Sequence, residues 1–365
     1  MSDLDYHDNQ VPIFRGTRYQ IGKDIGTEYR STIQNYVNNR NDLFSSEFRL
    51  FGVKYNASHL KEASVNIANY IKETTPLEWQ ELQGVADSTN IHINDLIITF
   101  GYTDSFDYAL KLHGKEPSDI QCDLLDNIVS ECSSLIDTKD KVVSIQTWDM
   151  PKGSEEFCIV VKKEPKNEPS LFTYGIAGAP CYMGINEFGV CVGTTNLSTL
   201  DSGIGLPFPF LISRMLAHVT ADKAVTWAKS VHRLSGHYFY ILDKDSAYEC
   251  ELSWGNSHIE NITNKISHHT NHIIRSNNDS EYCVGQSSIQ RKEFIEQLVR
   301  TTNTDAIDQF RKAAQQCRLP LCRKANKHNG FNTETVGLIS FYPADKKMSC
   351  VIGPPWSNSE INIYF

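Results

Sequence analysis

Glu131-Cys132-Ser133-Ser134-Leu135-Ile136 runs into Asp137-Thr138-Lys139-Asp140-Lys141, and Val142-Val143-Ser144-Ile145-Gln146-Thr147-Trp148-Asp149 follows. Two strand-like stretches flanking a cluster of turn formers predict a β-hairpin. Centred on Lys139-Asp140, the hairpin sets Cys132 opposite Thr147, with Asp149 one pair further on the same face and Gln146 on the other. A thiol and a carboxylate then share a short patch at the strand ends. A thiol can attack a carbonyl and a carboxylate can hold a cation, so the pair could carry acyl transfer. The plainer reading is a buried cysteine that opens a strand and a solvated aspartate that closes one. Other candidates offer less. Cys122 follows a polar connector, but Asp123-Leu-Leu-Asp126 supplies neither an alternating strand nor a return segment with a carboxylate. His268, His269 and His272 have a spacing that suggests metal, yet they read as a strand and turn around Asn271 and lack the HExxH pattern. None of the ten cysteines forms a CxxC pair, and no Gly-rich phosphate loop occurs. No metal and no cofactor are expected.

The elements that must position the hairpin fall into two halves. The first third reads helical, with apolar Leu60, Ala63, Ile67 and Ile71 ahead of Pro76, which suits the first turn of a second helix carrying Leu77, Trp79, Leu82 and Val85. A third helix is expected to start near Asn94. Gly114 to Asp126 reads as a connector broken by Pro117. From Ser130 onward the pattern changes to alternation with Gly, Asn and Asp punctuation. Strands are predicted at 133–136, 142–148, 157–161, 171–176, 189–195, 238–242, 248–252 and 336–341. Helices are predicted at 209–218, at 220–234 with Thr220 as its cap, and at 288–311. Helices first and strands after, with a helical pair inserted, indicate α+β layers in one domain.

Several of these stretches together resemble the acyl-coenzyme A:6-aminopenicillanic-acid acyltransferase family, the C45-type autoproteolytic acyltransferases and hydrolases. Phe14-Arg-Gly-Thr-Arg-Tyr-Gln-Ile-Gly22 resembles the family's N-terminal G-x-x-x-x-x-G segment, and Leu82-Gln-Gly-Val-Ala-Asp87 its helical L-x-G stretch. Cys132-Ser133-Ser134 stands at its Cys-Thr-Ser/Thr, and Gln146-Thr-Trp-Asp149 at its Gln-Asn/Thr-Trp-Asp. Gly184-Ile-Asn-Glu-Phe-Gly189 and Thr195-Asn196-Leu197 are similar to its strand pair. Gly205-Leu-Pro-Phe-Pro209 with Arg214, His269-Thr-Asn-His272, and Leu321-Cys-Arg323 complete the order. The resemblance implies a four-layer αββα N-terminal-nucleophile (Ntn) hydrolase sandwich. It also implies a precursor cut between Glu131 and Cys132, giving segments 1–131 and 132–365 that stay associated within that one domain. Cys132 would then be the nucleophile, with Asp149 holding the new α-amine and Asn271 and Asn196 near the scissile carbonyl. Arg323 would reach into the site, with Gln146 and Thr147 as further substrate-binding candidates.

In such an enzyme the attacking thiol and its base belong to one residue, because an α-amine titrates at ~7.7–8.0 and can accept the thiol proton without a histidine. The expected function is hydrolysis or acyl transfer on a linear amide or N-acyl amine through a Cys132 thioester. The substrate is a small amide or acyl thioester, in the range of N-acyl amino acids, β-alanyl amines and acyl-thioester donors. Glu131 departs from the small or turn-prone residue usual before the cysteine, and motivates a second reading as an unprocessed binding scaffold. A third reading is a Cys–His amidase working from the intact chain. The formal charge of −9 argues against a nucleic-acid partner, and no apolar run of ~18 residues predicts a membrane span. The acidic start without an apolar stretch and the scattered cysteines suggest a reducing, cytoplasmic compartment. The oligomeric state is left open.

Overall fold

Close helix crossings organise the N-terminal half. Strand β1 (Ile13–Gly16) turns directly into α1 (Arg18–Glu28), where the Thr17 hydroxyl accepts the Gln20 N–H at 3.2 Å. Helices α2 (Arg30–Leu50), α3 (Ala57–Thr74), α4 (Pro76–Thr89), α5 (Ile93–Phe100) and α6 (Tyr102–Leu112) follow. Helix α1 packs on α4 through two glycines: a Cβ on Gly22 would fall 1.9 Å from the Glu81 carbonyl oxygen, and one on Gly84 2.2 Å from that of Tyr19. Pro76 opens α4 as expected. The single helix predicted from Asn94 is broken at Gly101, where a Cβ would come within 2.7 Å of the Pro207 ring. The computed structural model describes residues 11–50, 57–120, 131–276, 279–301, 305–324 and 333–365; Met1 to Gln10, Cys122 and the rest of 121–130 lie outside the described residues.

The strands form two sheets. Strands β2 (Cys132–Asp137), β3 (Val143–Pro151), β4 (Cys158–Pro165), β5 (Leu171–Ile176), β6 (Met183–Asn186) and β7 (Cys191–Asn196) precede the helical pair α7 (Phe208–Met215) and α8 (Ala221–Ser230). Thr220 caps α8 as expected, and β8 (His237–Leu242), β9 (Ala247–Leu252), β10 (Ser257–Asn261) and β11 (Ile266–His269) follow. The helix predicted over 288–311 is two, α9 (Gln286–Thr301) and α10 (Ala306–Gln315). The Asp305 carboxylate starts the second by accepting the Ile307 N–H at 2.9 Å. Strands β12 (Thr333–Tyr342), β13 (Lys347–Ile352) and β14 (Ile361–Tyr364) close the chain.

One sheet has eight strands in the order β1-β4-β5-β6-β7-β8-β9-β10; the other has six, β11-β2-β3-β12-β13-β14. Their inner faces meet. The Tyr174 hydroxyl donates to the Val336 and Val351 carbonyls at 3.2 and 3.3 Å, and the edge of Trp148 lies against Tyr174 and Tyr182. Helices α9 and α10 cover the outer face of the six-stranded sheet through Ile295, Ile307 and Phe310, while α1, α7 and α8 cover the eight-stranded one. Strands β5, β7 and β8 are therefore buried along their whole length, apolar or not, as a sheet covered on both faces requires. This is the α+β, four-layer αββα arrangement that the sequence resemblance implied. Among the described residues no helix is long and apolar enough to cross a membrane.

The hairpin register differs by one residue from the expectation. Cys132 pairs with Trp148, Ser133 with Thr147 and Ser134 with Gln146. Thr138 causes the shift: it leaves the ladder to donate its amide to the Lys265 carbonyl at 3.0 Å and its hydroxyl to that of Ile262 at 2.6 Å, so the turn centres on Asp140. The correction reverses two placements. Gln146 shares the inner face with Cys132, and Asp149 lies on the helix-covered outer face, opposite Glu131.

Candidate active site

Cys132 is the first residue of β2, 5% exposed, on a wall of a cavity between the sheets and the N-terminal helices. Trp148, Met150, Tyr182 and Phe208 supply apolar walls, with Thr103, Thr194, Asn196 and His237 as polar points. Burial first, and then the negative charge of Asp149, push the Cys132 thiol well above the ordinary thiol range. Within the intact chain it is a protonated, poorly nucleophilic group. A nearby base or a new positive charge would activate it.

Both sides of the Glu131–Cys132 peptide bond are held. The Glu131 carbonyl accepts the Asp149 N–H at 2.7 Å, which polarises it, and the Cys132 N–H donates to Asn271 Oδ1 at 2.8 Å. The Glu131 carboxylate is 2.7 Å from Arg323 Nε and 3.2 Å from Arg291 Nη2, and accepts the Ser287 hydroxyl at 2.9 Å. Arg291, fully buried on α9, also donates to the Cys132 carbonyl at 2.5 Å, to Ser133 Oγ at 2.8 Å and to Asn271 Oδ1 at 2.9 Å.

Asp149 is fully buried. Thr335 donates to its Oδ1 at 2.6 Å, while Oδ2 has no hydrogen-bond partner among the described residues. Burial pushes its carboxyl up to about 6, against the lowering pull of Arg291. The two expected amides are used differently. Asn271 is committed at both ends: its Oδ1 takes the Cys132 amide and Arg291, and its Nδ2 donates to the Asn196 carbonyl at 3.1 Å. The Asn196 side chain lines the cavity, and its Oδ1 is buried without a partner.

The three residues expected to touch substrate are not on the cavity wall. Arg323 is drawn to Glu131 and also donates Nη1 to Thr333 Oγ1 at 2.8 Å. Gln146 bridges the sheets, donating Nε2 to the Thr194 carbonyl at 2.7 Å. The Thr147 hydroxyl is buried beneath the helices. His269 pairs with Glu251 at 2.9 Å and stacks on Tyr238, and His272 Nδ1 lies 2.8 Å from Ser288 Oγ. Among the described residues no histidine hydrogen-bonds the Cys132 thiol.

Arg291, Arg40 and His237 were not singled out from the sequence. Arg291 had one readable signal, since a glutamate next to a buried cysteine needs a cation, and Ser287 and Arg291 stand at helical i, i+4 spacing. Arg40 and His237 carry no local signature; only the packing of α2 and β8 brings them to the cavity.

A family model described as acyl-coenzyme A:6-aminopenicillanic acid acyl-transferase matches residues 136–356. No curated protein matches by sequence search. Solved structures that are similar include a mutant conjugated bile acid hydrolase from Clostridium perfringens, at 8% identity over 65% of this chain and 97% of that one, TM-score 0.42. Penicillin V acylase from Agrobacterium tumefaciens is another, at 10% identity over 64% and 86%, TM-score 0.38. With most of the β-sandwich inside the matched span, the chain belongs to the acyl-coenzyme A:6-aminopenicillanic acid acyl-transferase family.

Proposed function

We propose that this protein cuts its own chain before Cys132 and then hydrolyses, or transfers the acyl group of, a small linear amide through a Cys132 thioester. The observation that carries the reading is the treatment of one peptide bond. Its carbonyl is polarised by the Asp149 N–H, its nitrogen is held by Asn271, and the cysteine that follows lines the cavity.

Processing begins when Cys132 Sγ attacks the Glu131 carbonyl carbon. The thiol proton passes by way of water to the Asp149 carboxylate on the other face of the strand pair, whose raised pKa makes it a better base than an exposed carboxylate. The C–N bond breaks, the departing nitrogen takes the proton, and Glu131 is left as a thioester that water hydrolyses to a free thiol and a new carboxylate. The Arg291–Arg323 clamp holds the Glu131 side chain while its carbonyl turns tetrahedral. The nitrogen freed in this way stays against Asn271 Oδ1 and becomes the base for the thiol beside it.

In turnover the thiol attacks the substrate carbonyl, and its proton moves to the α-amine, through water, and on to the leaving amine. The acyl thioester is released to water in hydrolysis or to a second amine in transfer. Asn196, with no hydrogen bond from its side-chain amide among the described residues, is placed to donate Nδ2 to the developing oxyanion; such a donor is commonly worth ~2.7–4 kcal/mol. Asn271, whose Oδ1 takes the Cys132 amide and whose Nδ2 donates to the Asn196 carbonyl, serves to position the amine. The two segments, 1–131 and 132–365, remain one associated domain.

A Cys–His mechanism finds little support. His237, the histidine on the cavity wall, is pushed down to about 3 by burial and is a weak base. Intact mass of the purified protein beside Cys132→Ala tests the proposal. The wild type is expected as two chains divided before residue 132 and the variant as one. Full turnover by an uncut wild-type chain overturns it.

A further inference from the structure

Arg40 is the one formally charged side chain on the cavity wall among the described residues, and it is 1% exposed. A buried guanidinium normally ends in a carboxylate or a set of carbonyls, because its five donors cost heavily when left bare. Here the partners are few. Nη2 donates to Ser154 Oγ at 3.2 Å, Nε is buried without a hydrogen-bond partner, and no carboxylate stands within ion-pair distance among the described residues. Tyr36 and Tyr102 each place a ring centroid 5.1 Å from its Cζ, so the group is held by π-faces that fix its plane and leave its edge unpaired. Glu47, on the same helix and within electrostatic reach of Arg40, accepts the Tyr102 hydroxyl at 2.6 Å, and burial pushes its carboxyl up to about 7 against the lowering pull of Tyr102 and Arg40, leaving it a weak counter-charge near neutrality.

We propose that Arg40 is a substrate-recognition residue, binding a carboxylate that the substrate carries some distance from the amide attacked by Cys132. This deepens the functional reading above and rests on it for the identity of the reacting bond. Cys132 and Arg40 line the same cavity, so a ligand filling the space between them meets a thiol and a guanidinium. A planar fork that accepts two oxygens suits a carboxylate. A free ammonium, as in a β-alanyl amine, would instead meet a like charge in a dry site. Among the amides that the family resemblance brings into view, those with an acidic end are the ones this cavity fits.

The carboxylate could sit on the acyl or on the amine fragment, and two substrate series separate these sources. The first is succinyl-, glutaryl- and adipyl-p-nitroanilide, each against its neutral acyl counterpart of equal length. The second is N-butyryl ω-amino acids of increasing length against their methyl amides. Wild-type protein is expected to favour the acidic member of one series by about a hundredfold or more in kcat/KM, the scale of a buried charge pair. Arg40→Met is expected to bring that ratio near one, and Arg40→Lys to retain part of it, with most of the change in KM. A ratio near one in the wild type, or a preference that survives Arg40→Met, overturns the inference while leaving the Cys132 chemistry standing. Binding of glutarate and of N-butyryl-γ-aminobutyrate to the Cys132→Ala chain, followed by calorimetry with and without Arg40→Met, reads the same contact with no turnover. Arg40-dependent binding with no cleavage of any amide would keep the inference and remove the catalytic reading; binding of neither acid overturns the inference.

Discussion

At the scale of single residues, the chemistry depends on who holds the proton. In the intact chain the Cys132 thiol is pushed up by burial and by Asp149, and the Asp149 carboxyl is pushed up to about 6 by burial. The ionised carboxylate is the form that can take the thiol proton, and it predominates above that value. Self-cleavage is therefore expected to slow as pH falls through about 6 and to level off above it, read by intact mass of protein refolded over a series of pH values. Asp149→Asn should remove this dependence and slow cleavage by roughly 10²–10⁴, the usual worth of a positioned base. A rate that stays flat across pH 5–7 in the wild type would assign the proton transfer elsewhere. Once the chain is cut the dependence changes hands, because the α-amine titrates nearer ~7.7–8.0 and Asp149 then acts as a neighbouring charge.

At the scale of elements, the site is an agreement between a strand end and what packs behind it. Cys132 and Asp149 were legible as the two ends of a predicted hairpin, whereas Asn196 and Asn271 came only from the family resemblance, with no local signature of their own. Facing was less legible. Period-two alternation fixes a strand's two faces only relative to its partner, and the Thr138 side chain, bonded to residues more than a hundred positions away, moved the register by one. Gln146 and Asp149 changed faces as a result. Arg40 escaped for a different reason, since nothing within its helix reveals that this basic side chain will be buried against a distant element, while Arg291 had only the indirect signal of a glutamate beside the cysteine. The glycine segments resembling family motifs gain a physical meaning here. Gly22 and Gly84 are the floor of the α1–α4 crossing, and a Cβ on Gly84 would sit 2.2 Å from the Tyr19 carbonyl and 2.5 Å from the Lys23 nitrogen. Backbone cannot yield as a side chain can, so Gly84→Ala should destabilise the protein by roughly 1–3 kcal/mol or more. Denaturant titration of the purified variant checks this, and an unchanged midpoint would show that the helices separate without cost.

At the scale of the whole molecule, the proposed cut divides the chain but not the fold. Residues before 132 supply β1, which pairs in parallel with β4, and α1, which lies over the eight-stranded sheet. Buried charge crosses the same boundary. Arg18 reaches Glu168 at 2.7 Å from one side, and Lys163 reaches Glu81 at 2.5 Å from the other, while Arg18 and Glu81 pair at 2.7 Å within the first segment. Separating the segments would break both of these pairs across the boundary, although Glu168 keeps Arg214 at 3.0 Å within its own segment, and would bare an apolar core besides. The cleaved chains should therefore elute together on gel filtration in native buffer and resolve only after denaturation. Glu81, which binds both Arg18 and Lys163, is the test of what holds them. In Glu81→Ala the two cations face each other without their shared acid, so the cleaved pair should dissociate at lower denaturant than the wild type. An identical dissociation midpoint would mean that sheet pairing and apolar packing alone keep the halves together, with the ion network a passenger.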